Sequence, residues 1–504
     1  MLIIGTGFSG LGTAVKLRES GRSVTLVEKA DDVGGVWRDN TYPGAACDVP
    51  SHLYSFSFAP RADWPRRFSH QPEILDYLRG FADRYGLRPL IRFGTEVVAA
   101  AWDEQRALWS VTVRTPPGAT EVIETEVLVS GVGQLNRPTI PPIPGREDFT
   151  GRQFHSARWD HGYDLSGKRV AVIGTGASAI QFVPEIAPVV SELIIFQRSA
   201  PWIGPKPDRP YTPAEKRRLS RFPAALAASR AWIYGTFESR AIGFMKKPEW
   251  LGRAERMLIR FQEASVTDPE LWPKIRPDYP LGCKRVLISN DWYPTLNRPN
   301  VDLVTGRLAR LAAGGVVSVG TLPDGSPDVE VERQVDAVIW GTGFAATDFL
   351  APMDITGVGG AKLHEVWSGG AEAYRGLTVS GFPNLFLLYG PNTNLGHNSI
   401  VYMIESQAAY ISDAVGQLAG GVADALDVRP EVQAGFNLRL QEQFDHTVWT
   451  GGCHSWYQTA SGKQTNNWPD FTFRYRRATH GIDLDDYQLI QVQPEARLPV
   501  GDSA

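Results

Sequence analysis

Residues 2–29, LIIGTGFSGLGTAVKLRESGRSVTLVEK, decide the fold. A short apolar strand runs directly into Gly5, Gly7 and Gly10, a helix follows, and a second apolar run, VTLVE, ends on Glu28. In such a GxGxxG loop the first glycine makes the tight turn, the second lets the backbone approach a pyrophosphate, and the third lets helix and strand pack closely. The helix N-terminus, with Phe8 and Ser9 in its first turn, then aims free N–H groups and the positive end of its dipole at phosphate oxygens. Glu28 stands where a carboxylate can accept hydrogen bonds from ribose hydroxyls. The stretch therefore predicts a parallel α/β unit that holds a dinucleotide.

The pattern recurs at residues 168–187, KRVAVIGTGASAIQFVPEIA, with Gly174, Gly176 and Ala179 as a GxGxxA and Thr175, Ala177 and Ser178 completing the loop. The strand that follows, SELIIFQRSAPW, ends on Gln197, Arg198 and Ser199 where the first unit ends on an acid. A carboxylate repels a 2'-phosphate, whereas a guanidinium can hold one bidentately. Two sites of opposite character imply two different dinucleotides, most economically FAD in the first and NADPH in the second. Returning apolar strands lie at 125–145, TEVLVSGVGQLNRPTIPPIPG, and 335–344, VDAVIWGTGF. The expected class is thus α/β, two Rossmann-like dinucleotide-binding domains with an inserted helical subdomain. The expected bounds are 1–145 with 350–504 for FAD, 146–205 with 283–349 for NADP, and 206–282 for the helical insert.

A chain of 504 residues with 43% apolar and 21% charged composition is of the soluble globular kind and long enough for two or three domains. A formal net charge of -4 offers no large field for nucleic acid or anionic membrane. Basic and aromatic residues are frequent in 206–282, a pattern compatible with membrane contact but read in preference as a solvated face over a substrate pocket. Cys47, Cys283 and Cys453 form no CxxC pair, so the spacing indicates neither a disulfide framework nor a metal site. No apolar run approaches the ~18 residues of a membrane span. The first strand begins at Met1 itself, short against the usual ~5–6 residues, which leaves the native start open upstream. These features point to a cytoplasmic protein acting on a small molecule as a monomer or weak homo-oligomer, without nucleic acid or stable membrane insertion.

FTGRQFHSARWD, residues 149–160, lies in a turn-rich region with neither strand nor helix period, yet it spaces Phe149, Gly151, His155, Trp159 and Asp160 at fixed intervals. It resembles the fingerprint FxGxxxHxxxW, followed by Pro or Asp, of the type I Baeyer–Villiger monooxygenases of the class B flavin monooxygenases. GGVWRDNTYPGAACD matches a second pattern of that family through Gly34, Gly35, Trp37, Tyr42, Pro43, Gly44 and Asp48. With the two glycine loops, the resemblance spans nearly the whole chain in the family's order. Related flavin monooxygenases that oxidise nitrogen or sulfur usually lack the tryptophan and the following residue, so Trp159 and Asp160 weigh against that alternative. A disulfide reductase would need a cysteine pair beside the flavin, and Cys47 stands alone in its segment.

The resemblance implies an NADPH-dependent, FAD-containing monooxygenase of the EC 1.14.13 type, converting a ketone and O2 to an ester or lactone through a C4a-peroxyflavin. That chemistry needs a permanent cation beside an oxyanion in a dry pocket. LGCKRVLISNDWYPTLNRPNV resembles the segment that supplies it, which places the cation at Arg285 and pairs it with Asp48. Lys284 joins Arg198 as a 2'-phosphate contact. Gly35, Val36, Trp37, Tyr42 and Tyr54 become flavin neighbours, Val97 falls where adenine is held, Gln134 lies near FAD, and Trp468 in NNWPD lies on the nicotinamide side. Asn392 and His397, in GPNTNLGHNSIVYMIE, become pocket-lining candidates, and His155 a conformational residue near the domain interface. The LGHNS variant of that loop is more similar to the branch related to aryl ketone monooxygenases than to the cyclohexanone branch.

Overall fold

The computed structural model describes residues 1–320, 329–450, 452, 455 and 457–493. The chain opens with β1 (Leu2–Ile4), α1 (Phe8–Glu19) and β2 (Thr25–Val27), then adds β3 (Ile91–Arg92) and β4 (Leu128–Ser130). A second series follows as β5 (Arg152–His155), β6 (Arg169–Ile173), α2 (Ala179–Ile186) and β7 (Glu192–Phe196). Three inserted helices come next, α3 (Pro213–Arg221), α4 (Pro223–Ala241) and α5 (Leu251–Ser265). The second series resumes with β8 (Val301–Val304) and β9 (Ala337–Trp340), after which the chain returns through β10 (Leu385–Leu387), α6 (Ile400–Ala419) and α7 (Thr472–Ala478).

Two five-stranded parallel sheets result. The first has the order β10-β4-β1-β2-β3 and the second β8-β7-β6-β9-β5. In each, the strand before the glycine loop sits centrally, with its successor on one side and a returning strand on the other. β6 and β9 are buried along nearly their whole lengths, which is why RVAVI and AVIW read as apolar runs and not as alternating patterns. Helix α1 buries almost every residue from Phe8 to Leu17 because it lies between the first sheet and α6.

The stretch 149–160 departs from its reading as a turn. Residues Arg152–His155 form β5, the edge of the second sheet, in register with Ala337–Trp340. Its residues, RQFH, show neither an apolar run nor an apolar–polar alternation. Two further sheets are also absent from the sequence reading. Strands Glu96–Asp103, Leu108–Thr115 and Ala119–Thr125 form an antiparallel meander, joined by Asp354–Thr356, whose apolar face packs on the first sheet. A smaller one, Arg307–Ala312, Gly315–Gly320 and Val329–Gln334, packs on the second.

The chain's two passages between the sheets run side by side. Thr139 N–H donates to Gly343 O at 2.9 Å and Ala345 N–H to Arg137 O at 3.0 Å. Cys47 is free and buried, whereas Cys283 is disulfide-bonded, which cysteine spacing did not indicate. Cys453 lies outside the described residues. Among the described residues, no helix is long and apolar enough to cross a membrane.

Candidate active site

Both glycine loops are shaped by close backbone approach. Gly5 has φ +94°, and a Cβ there would lie 2.9 Å from the carbonyl oxygen of Gly131, beyond the returning strand β4. Gly174 repeats the arrangement with φ +108° and a Cβ 2.5 Å from Gly341 O, beyond β9. At Gly10 a Cβ would fall 1.9 Å from Gly5 O, so the third glycine is what lets α1 meet its strand. Gly7 caps α1 and faces Gly35, whose φ of +54° and 3.3 Å Cβ approach to Gly7 Cα keep the space over the helix N-terminus free of side chains. A Cβ on Gly176 would meet nothing within 4 Å, which leaves that loop open. Ser9, Thr175 and Ala179 are buried beneath the two loops, while Ala177 and Ser178 face outward.

Glu28 ends β2 as a buried carboxylate. It accepts from the Thr6 backbone N–H at 3.1 Å, the Thr6 hydroxyl at 2.8 Å and the Ala30 N–H at 3.0 Å, and it pairs with Arg38 at 3.1 Å. Thr95 N–H donates to Glu28 O, which brings buried Val97 beside the same strand end. Trp37 and Tyr54 are joined by a 3.1 Å bond from indole N–H to hydroxyl, and Phe8 packs edge-on to Tyr54. Gln134 donates to Tyr389 O at 3.0 Å, but its own buried Oε1 accepts from no protein group. A glycine cradle and an orphaned buried acceptor fit a bound dinucleotide such as FAD.

In the second unit, Lys284 Nζ donates to Ser199 Oγ at 3.0 Å. Burial first, and the nearby Arg198 charge second, lower the pKa of Lys284. Among the described residues neither Arg198 nor Lys284 forms an ion pair. Two like charges held close together, neither of them in an ion pair, fit a phosphorylated ligand such as NADPH.

The Arg285–Asp48 pair is assembled from remote segments. Arg285 donates to Asp48 Oδ2 from Nε at 3.1 Å and from a terminal nitrogen at 2.5 Å. Burial alone would raise the Asp48 pKa, but the charge and hydrogen bonds of Arg285 outweigh it and hold the carboxyl below its usual range. Asp48 in turn raises the Arg285 pKa far above its ordinary value. Both groups lie deep in the fold, yet side-chain exposures of 32% and 28% show that they face open space. Tyr389 and Tyr457 are close enough for their titration to respond to the Arg285 charge, and burial pushes Tyr457 up to about 12. A separate cavity of about 400 Å³, lined by Tyr42, Pro43, Gly44, Arg66 and His70, does not include Arg285.

The two fingerprints meet through α2. The Trp159 ring lies 5.3 Å from Phe182, and Phe182 lies 5.9 Å from Tyr42. Tyr42 donates to Gln181 at 3.0 Å, and Gln181 donates to Ala46 O two residues before Asp48. Gly151 is required for contact, because a Cβ there would lie 2.5 Å from the Phe149 ring and 2.6 Å from Asp336 O. Buried His155 accepts the Ala157 N–H at Nδ1, and burial lowers its pKa to about 4, so it is neutral. Asp160 ion-pairs with Arg152.

Several expected pocket residues also make packing contacts. Asn392 donates to Gln464 O and Asn467 O and so braces the C-terminal loops, whereas buried His397 lies 3.5 Å from Glu238 with neither ring nitrogen hydrogen-bonded among the described residues. Trp468 is buried against Tyr475 with its N–H given to Phe471 O. The sequence reading missed Thr6, Arg38 and Gln181, which orient the residues it did name. It also missed two groups on α4. Arg230 donates to His52 O and to Ser55 Oγ, and Glu238 accepts from Asn398, the Thr472 N–H and the Thr472 hydroxyl. The one signal for Glu238 is that it is the sole acid in PAALAASRAWIYGTFESRA.

Comparison with known proteins adds an independent line. The family described as flavin-binding monooxygenase-like matches residues 1–228. A Baeyer–Villiger monooxygenase of Streptomyces coelicolor is 46% identical over 98% of this chain and 93% of its own length. One from Pseudomonas aeruginosa is also 46% identical, over 97% of this chain and 90% of its own. Among solved structures, cyclohexanone monooxygenase from Rhodococcus sp. Phi1 bound to NADP+ aligns with a TM-score of 0.85 at 29% identity, covering 97% of this chain and 99% of that one. A steroid monooxygenase bound to NADP gives 0.83 at 30% identity over 97% and 99%. The complex of OTEMO with FAD and NADP gives 0.85 at 28% identity over 95% and 96%.

Proposed function

The chain belongs to the Baeyer–Villiger monooxygenases, and from that premise we propose that it inserts one oxygen of O2 beside the carbonyl of a ketone, with Arg285 as the cation of the reaction centre and Asp48 as its anchor. FAD, reduced by NADPH, supplies when bound the electrons and the site at which oxygen is activated. Gly5, Gly7, Gly10, Gly35 and Glu28 hold the first dinucleotide, Gln134 offers it a buried acceptor, and Arg198, Ser199 and Lys284 hold the 2'-phosphate of the second.

The observation that carries the reading is the Arg285–Asp48 pair, deep in the fold yet open on one side. Negative charge that develops on the carbonyl oxygen when the attacking oxygen adds to the carbonyl carbon, before a carbon migrates, needs a partner that never loses its proton, and a guanidinium meets that need. Asp48 fixes the guanidinium plane and leaves its remaining N–H groups for the reacting oxygen. Tyr389 and Tyr457, both neutral, add no competing anion.

The test is aerobic turnover of FAD-loaded protein with NADPH across cyclic, linear and aryl ketones and an aryl methyl sulfide, with products identified by mass spectrometry. An ester or lactone is expected. Arg285→Ala should lower its rate by on the order of 10²–10³ while FAD stays bound. Sulfoxide or N-oxide alone, with every ketone untouched, would replace this reading with heteroatom oxidation.

A further inference from the structure

The three tryptophans that stand exposed among the described residues all lie in the inserted segment 206–282: Trp232 at 76%, Trp250 at 58% and Trp272 at 37%. Phe222 and Met257, at 54% and 59%, lie there too. Exposed apolar surface of this kind marks an interaction site. The segment carries fifteen Lys and Arg against nine Asp and Glu, an excess of six positive charges in a chain whose net charge is -4. The even balance of the whole molecule therefore conceals one strongly basic region.

On α5 and at the end of α3, basic and apolar side chains are exposed side by side. On α5, with Trp250 just before it, the exposed positions are Arg253, Arg256, Met257, Arg260 and Ala264, which at 100° per residue fall within one third of the helix circumference. Of the two acids of that helix, one is turned inward and the other, half exposed at the edge of this face, is neutralised by a partner. Glu255 accepts the Leu281 N–H, and Glu263 pairs with Arg276. Among the described residues the three arginines have no ion-pair partner. On α3, Arg217, Arg218 and Arg221 are exposed and equally unpaired, and the helix leads straight into exposed Phe222. The outward face of α4 carries Ala224, Ala228, Ala231, Trp232, Gly235 and Ser239, and its one central cation, Arg230, is turned inward to His52 and Ser55.

We propose that this inserted helical region docks the enzyme on the surface of an anionic phospholipid bilayer. Tryptophan, phenylalanine and methionine would enter the headgroup layer while unpaired arginines face lipid phosphates, the composition of an interfacial helix and not of a spanning one. A second copy of this chain is a poorer occupant, because isologous docking would oppose the same unpaired arginines. A bilayer has no such penalty. The inference stands independently of the ketone chemistry, since it uses no residue of the reaction centre.

The experiment is flotation of the FAD-loaded full chain with vesicles of phosphatidylcholine alone and of phosphatidylcholine with phosphatidylglycerol, at low and at high salt. Binding is expected only to the anionic vesicles and should weaken as salt rises. The variants R253E/R256E and, separately, W232A/W250A should each lower the partition coefficient by roughly tenfold or more with unchanged flavin absorbance and unchanged NADPH oxidation in solution. Equal binding to neutral vesicles, no binding to anionic ones, or partitioning that these variants leave untouched would overturn the proposal. So would a concentration-dependent dimer that both variants abolish, since a second copy would then cover the face.

Discussion

At the scale of single residues, the Asp48–Arg285 ion pair carries the proposed chemistry. Their pKa values move apart, Asp48 down and Arg285 up, so the pair stays fully ionised at neutral pH. A depressed carboxyl contributes its stability above its unfolded pKa near 4 and loses it only as pH falls through the still lower folded value. The acidic limb of the activity profile should therefore not arise from Asp48. Asp48→Asn should leave that limb in place, lower kcat, and lower the holoenzyme's stability by roughly 2 kcal/mol, a value discounted for the open side of the pair. Thermal unfolding and a pH–rate profile of the variant measure both effects. Lys284 and Arg198 make a second, separate prediction. Lys284→Ala should raise KM for NADPH by about 10–100-fold, the worth of one charge-assisted hydrogen bond, and leave KM for NADH nearly unchanged. Steady-state kinetics with both nucleotides checks it. A parallel rise for NADH would show that Lys284 does not meet the 2'-phosphate.

At the scale of elements, α4 works as a strut between loops that the chain supplies far apart. Its first half holds the segment His52–Ser55, just past Asp48, and its second half holds Asn398 and Thr472 through Glu238. Glu238→Gln replaces one acceptor oxygen with an N–H₂ that meets the Thr472 donors, leaving buried donors unpaired at about 1–3 kcal/mol. Thermal unfolding should show this loss, and kcat should fall with it because the Thr472 loop is released. The linker strand β5 adds a pH effect. Burial lowers His155 to about 4 from 6.5, and His52 to about 4 with help from the Arg230 charge. A buried neutral histidine gives full stability above its unfolded pKa and loses it as pH falls from 6.5 toward 4. Stability measured by denaturant should drop across that window, and His155→Gln should flatten part of the drop.

Legibility differed between these elements for physical reasons. Strands β1, β6 and β9 were readable because burial on both faces leaves an unbroken apolar run, and the glycine loops because backbone contact admits no other residue. β5 was not, since an edge strand reading RQFH carries neither an apolar run nor an apolar–polar alternation. Glu238, Arg230 and Gln181 were illegible as well. Each acts through a partner more than a hundred residues away, and nothing local in an alanine-rich helix marks which polar side chain turns inward. The Arg285–Asp48 contact crosses a similar distance and became legible only through the family resemblance, not through spacing.

At the scale of the whole molecule, the two sheets are coupled by contacts of two kinds. The passages near 137–139 and 343–345 share backbone hydrogen bonds, which tether without fixing angle. The chain Trp159, Phe182, Tyr42, Gln181, Ala46 is a packed and hydrogen-bonded link that runs from the linker of the second sheet to within two residues of Asp48. A shift of the second sheet is therefore felt at the carboxylate that positions Arg285. Trp159→Ala removes the link at its broadest contact. The lost packing should cost about 2–4 kcal/mol, but the more telling effect is on coupling. With Asp48 less firmly placed, Arg285 no longer holds one position, and water reaches a space that must stay dry for oxygen to go to the ketone. NADPH consumption should then persist while product falls, with hydrogen peroxide making up the difference. The ratio of peroxide formed to NADPH oxidised, measured with saturating ketone in the wild type and in Trp159→Ala, should rise several-fold. Trp159→Phe, which keeps an aromatic contact with Phe182, should restore much of the wild-type ratio. If Trp159→Ala instead lowers NADPH consumption and product together at an unchanged ratio, the link serves nucleotide binding or overall stability and does not set the position of Asp48.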